Sequence, residues 1–185
     1  MVRGNLITHK TMKIIFKSIL VLFVCSIFSC SSDDSNSDNN GNNATLEGHW
    51  KLTALRVESA FDFNNDGITS RNLFEETPCY DDDFLNFRAD GTVNVVTALT
   101  LISVEITSPT EYEHVYQCLD GLDQETTWTR EGNTITVENG STDFVGTISG
   151  NTLTVFIEDL FEIEMFDGMN YSYPEEDVTL VYTKQ

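Results

Sequence analysis

Basic residues are scarce in this chain. Among 185 residues there are 10 Lys and Arg against 30 Asp and Glu, a formal charge of −20. Nucleic-acid binding needs a basic footprint, so that class of partner is excluded. Proline is rare at 3 residues, tryptophan rarer at 2, and the 3 histidines are His9, His49 and His114. So few imidazoles, at no zinc-ligand spacing, argue against a zinc centre. No long apolar run exists either. The longest, from Ser18 to Phe28, has eleven residues, whereas a membrane-spanning helix needs about 20. Also missing are a Gly-x-Ser-x-Gly elbow, a His-Glu-x-x-His pair and a phosphate-binding loop, and the expectation is a protein that is not an enzyme. The hydrophobic share of 40%, with 11% aromatics, is enough for one packed domain and weighs against global disorder.

What is present begins with an address. Arg3, Lys10, Lys13 and Lys17 are the only charges before Ser31, and the apolar stretch follows them. A basic segment followed by a short apolar one describes a secretory signal, excluded from fold reasoning. Met12 is an alternative start, since the pattern is complete from there. The sequence Ile27-Phe28-Ser29-Cys30 resembles the lipobox of bacterial lipoproteins, with an aliphatic residue three before a cysteine and a small one directly before it; Phe28 departs from the usual small residue. The resemblance implies cleavage before Cys30 and acylation of that cysteine, so residues 1–29 are expected to be signal peptide. An ordinary secreted protein or an uncleaved anchor are the alternatives. Loss of the four basic residues leaves a chain of 156 residues at −24. Such a domain repels anionic head groups, and the partner membrane is then held through two or three acyl chains.

Residues 31–43 contain no apolar side chain, and 30–45 are expected to form the lipidated cysteine and a flexible acidic tether. The Ser-Asp-Asp run after Cys30 resembles export signals that place Gram-negative lipoproteins on the cell surface. The implied location is the outer membrane, exposed outward or facing inward.

Residues 46–185 read in period two. Trp50, Leu52 and Ala54 alternate with Lys51 and Thr53, Val93 and Val95 with Thr92 and Asn94, and Val178, Leu180 and Tyr182 with their neighbours. Alternation rich in Val, Thr and Ile means half-buried antiparallel strands. The dipeptides Asp90-Gly91, Gly132-Asn133, Asn139-Gly140 and Gly150-Asn151 mark hairpin turns. Gly132-Asn133-Thr134-Ile135-Thr136-Val137 returns eighteen residues later as Gly150-Asn151-Thr152-Leu153-Thr154-Val155. Turn-and-strand units at this spacing predict an all-β meander that closes into a barrel, with a sandwich as the competitor. The segment from Phe156 to Phe166 reads as a strand with an acidic end, and 167–174 as a loop.

Gly48-His49-Trp50 has the Gly-x-Trp pattern of the first lipocalin strand. Trp128-Thr129-Arg130 ahead of Gly132-Asn133 is similar to the second half of bacterial lipocalin-like lipoprotein domains. The resemblance implies an up-and-down barrel of about eight strands, with Gly48 and Trp50 packing its floor. It implies no reaction. The function it suggests is non-catalytic binding of a small apolar ligand, with a structural or accessory subunit docking a protein partner as the alternative, and a glycan-directed hydrolase as a distant third. Phe84, Phe87, Trp128 and Phe144 line the cavity or pack the core.

Two constellations remain. Cys79 and Cys118 are left once Cys30 is assigned to lipid, and an exported chain permits them one disulfide, with a free thiol pair or a metal site as alternatives. Asp62-Phe63-Asn64-Asn65-Asp66-Gly67 matches the first half of an EF-hand loop. Side-chain oxygens of Asp62, Asn64 and Asp66, the Ile68 carbonyl and Ser70 point to calcium. Leu73 stands where the bidentate Glu belongs; Glu75 and Glu76 are the candidates to close the shell. The alternative is an acidic surface loop, and without an ion the stretch from Phe61 to Cys79 is expected to have little to hold it.

Overall fold

The computed structural model describes residues 45–140 and 143–185. The signal peptide, Cys30 and nearly all of the tether lie outside them. Among the described residues no helix is long and apolar enough to cross a membrane.

Among the described residues eleven strands form: β1 Gly48–Phe61, β2 Ser70–Asn72, β3 Phe84–Phe87, β4 Thr92–Ser108, β5 Glu111–Glu131, β6 Thr134–Val137, β7 Phe144–Ser149, β8 Thr152–Glu162, β9 Met165–Phe166, β10 Tyr171–Ser172 and β11 Glu175–Lys184. One helical turn, α1 Leu73–Glu76, precedes a 3₁₀ turn at Pro78–Tyr80. The large sheet runs β11-β8-β7-β6-β5-β4-β3-β1-β2, and β11 also pairs with β1. That last pairing, from Trp50↔Lys184 to Arg56↔Thr179, closes eight antiparallel strands into a barrel. Closure removes the edges that an open meander would leave.

Each dipeptide read as a turn joins consecutive strands. The repeated motif is the turn and outgoing strand of two hairpins, β5–β6 and β7–β8. Gly132 and Gly150 sit there at φ 61° and 59°, a region open to glycine without steric cost.

Two insertions interrupt the meander. Between β1 and β3 lie β2, α1 and the 3₁₀ turn. Between β8 and β11 lies a hairpin of β9 and β10, whose second strand falls in the stretch read as a loop. Tyr171 and Ser172 pair with Phe166 and Met165 over only two positions, too short for alternation to show in the sequence. The strand reading of 156–166 holds for β8 and β9, broken at Ile163 and Glu164.

The core fills one end of the barrel. Trp50, Leu52, Phe87 and Val93 are essentially unexposed. The Trp50 indole N–H donates to the Leu46 carbonyl at 2.7 Å. Phe87 meets Trp50 and Trp128 edge-on, with ring centroids at 6.5 and 5.7 Å, the geometry the ring quadrupoles favour. Lys184 Nζ lies 5.7 Å from the Trp50 ring. A Cβ on Gly48 would come within 3.3 Å of Lys184 Cε. Trp50 is thereby packed against Leu46, Phe87 and Lys184.

β4 and β5 outrun their neighbours. β3 covers β4 only from Val93 to Val96, and β6 covers β5 only from Trp128 to Glu131. Where β3 stops, the Asp83 side chain takes over. Its carboxylate accepts from Ala98 N at 2.9 Å and from the Thr97 hydroxyl at 3.0 Å.

Candidate functional site

The half of the barrel away from Trp50 is hollow. A cavity of about 510 Å3 is bounded at its sides by Leu55, Leu85, Val95, Ile135, Val155 and Val178, among others. That lies within the ordinary size of a small-molecule site, roughly 300–1,000 Å3. Period-two alternation explains the lining, since every second residue of each barrel strand faces inward. Gly146, whose Cβ would crowd Leu153 and Val155 at 2.9 and 3.0 Å, adds a wall position without a side chain.

The mouth is framed by leucines. Leu99, Leu101, Leu119 and Leu160 line the cavity and are 55%, 48%, 39% and 52% exposed. Apolar side chains gathered at an opening and left to water mark a surface that is covered in use.

Few polar groups reach the lining. Tyr80 and Thr100 are buried, and neither hydroxyl has a hydrogen-bond partner of normal geometry among the described residues. Burial pushes the Tyr80 phenol up to about 12, partly offset by the neighbouring Thr100 hydroxyl. Behind Thr97, burial raises the Asp83 carboxyl to about 6 against the two hydrogen bonds that favour its charge, and Asp82 adds to the rise. Glu162 is the one charged residue that lines the cavity.

Of the four aromatics singled out in the sequence, Phe144 lines the cavity. Phe87 and Trp128 pack the floor, and Phe84 stands against His49 at 4.7 Å. The leucine mouth carries no such signal in the sequence, because Leu99, Leu101 and Leu119 look like any other strand residues.

Cys79 and Cys118 are joined, with Cα atoms 5.3 Å apart, inside the usual disulfide range. The bond ties the 3₁₀ turn to β5.

The Asp62 loop is tightly self-bonded. Asp62 accepts from the amides of Asp66 and Gly67 at 3.1 and 3.0 Å. Asn64 Oδ1 accepts from the Asp66 amide at 2.9 Å, and Asp66 Oδ1 from Ile68 N at 2.8 Å. Ser70 and Glu75 pair with each other at 3.3 Å. Glu76 is buried and accepts from the amides of Phe63 and Asn64 at 2.9 and 3.4 Å. No three His, Cys, Asp or Glu side chains stand together as a metal-binding group among the described residues. The stretch after Phe61 is also better held than its composition suggests. Asn72 Oδ1 accepts from Leu55 N at 3.0 Å, and Leu73, Glu76, Thr77 and Tyr80 are buried.

His114 is half-buried against Phe61 at 5.4 Å, and its Nε2 is buried without a partner among the described residues. Burial lowers its pKa, with the nearby Glu164 opposing.

Compared with protein-family models, curated proteins and solved structures, the chain matches none.

Proposed function

We propose that this protein is a lipid-anchored lipoprotein of the bacterial outer membrane whose barrel binds a small apolar molecule without transforming it. The observation that carries the binding reading is the apolar cavity of about 510 Å3 behind a leucine mouth. A barrel of eight strands is narrow enough for its own side chains to fill it, and the floor half is filled in that way. Empty apolar space in the other half supports carriage over a purely structural role. The absence of catalysis is part of the same proposal, since Glu162 is the only carboxylate lining the cavity and paired carboxylates across a cleft are what glycoside hydrolysis uses. The anchor rests on the resemblance of Ile27-Phe28-Ser29-Cys30 to a lipobox.

Native mass spectrometry of the protein taken from its own membrane tests the binding. The wild-type chain is expected to carry apolar molecules that Ala98→Phe, which fills the cavity, has lost. A wild-type chain that carries none and takes up no N-phenyl-1-naphthylamine overturns it. A Cys30→Ser chain that still pellets with the envelope removes the anchor.

Calcium in the loop from Asp62 to Ser70 is carried as a separate proposal. The side-chain oxygens of Asp62 and Asn64 both face the Asp66 amide, which supports a partial oxygen cluster. A shell of about six to eight oxygens would need water for the rest, so binding is weak and suited to millimolar calcium. The melting temperature is expected to rise on calcium addition; an unchanged melt at about 10 mM, roughly ten times the weak end of the extracellular range, removes the site.

A further inference from the structure

A ligand is selected by what a site's wall can pair with, and this wall has a one-sided chemistry. None of the six described Lys and Arg residues lines the cavity, and neither do His49 and His114. Three of the six are engaged elsewhere. Lys184 lies over Trp50 at the floor, Arg88 pairs with Glu125, and Arg130 donates to the Gly132 carbonyl. The charges that are near the cavity are negative. Glu162 lines it, and Asp83 stands directly behind Thr97.

Apart from Glu162, the polar part of the wall is made of neutral hydroxyls. The single hydrogen of the Thr97 hydroxyl faces protein acceptors, Asp83 Oδ2 at 3.0 Å and the Ala98 carbonyl at 3.1 Å. What Thr97 can still offer a ligand is a lone pair. Tyr80 and Thr100 add buried hydroxyls that can donate or accept, without protein partners of normal geometry among the described residues. An anion entering such a site sheds its water and finds no positive charge, only neutral hydroxyls, a cost that desolvation in a low-dielectric interior makes large. A hydroxyl group entering the same site finds an acceptor and sheds little.

Resting on the reading of the cavity as a binding site, we infer that its ligand is an uncharged, hydrocarbon-rich molecule whose polar end is a hydroxyl, of the class of aliphatic or isoprenoid alcohols, and that fatty-acid carboxylates and lipid phosphates are rejected. The exposed leucines of the mouth fit such a ligand, because they extend the apolar wall outward and present no cation to attract an anionic head.

The experiment uses the full chain in phosphatidylcholine nanodiscs and measures uptake of radiolabelled 1-dodecanol and laurate at pH 8. Ala98→Phe and Leu119→Trp, which fill the cavity from its wall and its rim, serve as blanks, so the signal is the difference between wild type and blank. The second blank covers the case in which Ala98→Phe fails to fold. The expected result is a difference signal for dodecanol with an affinity at least about tenfold above that for laurate. Leu101→Lys, placing a cation at the exposed mouth, is expected to narrow the laurate-to-dodecanol ratio by about threefold or more. Laurate binding as well as dodecanol, with both above the blanks, overturns the selectivity and leaves the cavity a binding site. No signal above the blanks for dodecanol, laurate or N-phenyl-1-naphthylamine overturns the binding site itself, and the selectivity with it.

Discussion

Ile102 and Ile163 meet as an isolated parallel bridge, and neither side chain is exposed. Ile102 belongs to the part of β4 that has outrun β3, and Ile163 to the break between β8 and β9. The contact pins the long β4–β5 hairpin to the other insertion of the barrel. Glu164 extends the junction, its amide donating to the Ile102 carbonyl at 3.3 Å and its carboxylate accepting from Val104 N at 2.9 Å.

Truncation of that contact leaves a void beside a fixed hairpin. Ile163→Ala is expected to destabilise the protein by roughly 2–4 kcal/mol, the cost of removing fully buried methylenes and keeping part of the cavity. The shift of the urea midpoint measures it.

The Cys79–Cys118 bond closes a loop with a sequence separation of 39. Chain entropy alone assigns such a loop about 4 kcal/mol. Replacement of both cysteines by serine is expected to lower the denaturation midpoint by up to that amount, and reductant is expected to lower the wild type toward the same value. Equal melts with and without the bond would count against it.

Gly121 is the extra residue where β5 bulges opposite Thr97 and Ala98. A Cβ there would lie 2.2 Å from the Thr97 carbonyl oxygen and 3.0 Å from two backbone carbons. Backbone cannot swing aside as a side chain can, so Gly121→Ala is expected to cost roughly 1–3 kcal/mol. Its midpoint is best compared with that of Gly67→Ala, which meets nothing within 4 Å and pays instead for a φ of 84°.

Asp83 links stability to pH. Its carboxyl is raised from 3.8 to about 6 by burial, so between these values the folded chain binds more protons than the unfolded one. The contribution of this group to stability is therefore present below about pH 4 and lost as pH rises to about 6. Asp83→Asn keeps an acceptor for Ala98 N and does not titrate. The difference in unfolding free energy between the two proteins, followed from pH 4 to pH 7, is expected to change by on the order of 2 kcal/mol in that direction. A flat difference would show that the group titrates as it does in the unfolded chain.

Local chemistry made much of this barrel readable. Asp90-Gly91, Gly132-Asn133, Asn139-Gly140 and Gly150-Asn151 demand particular backbone angles whatever surrounds them, and the alternation of residues such as Val93 and Val95 with their polar neighbours follows from the pleat of one strand. Trp50 and Gly48 were legible for the same reason, as a short pattern within one strand. The pairing of two cysteines needed only their count and the expectation of export.

The site lay further from the sequence. Whether Val155 and Ile135 meet in a packed core or face each other across empty space depends on the diameter at which eight strands close, a property of no single strand. Leu99 and Leu160 became neighbours of one opening only once β4 and β8 had taken their places around the barrel. Glu76 shows the same dependence from the other direction. Sequence spacing offered it to an ion; the fold also buries its carboxylate and sets it on the amides of Phe63 and Asn64, a pairing no local pattern announces. Residues close in the chain declare their geometry through backbone sterics and turn chemistry; residues brought together by closure do so only when every strand is in place.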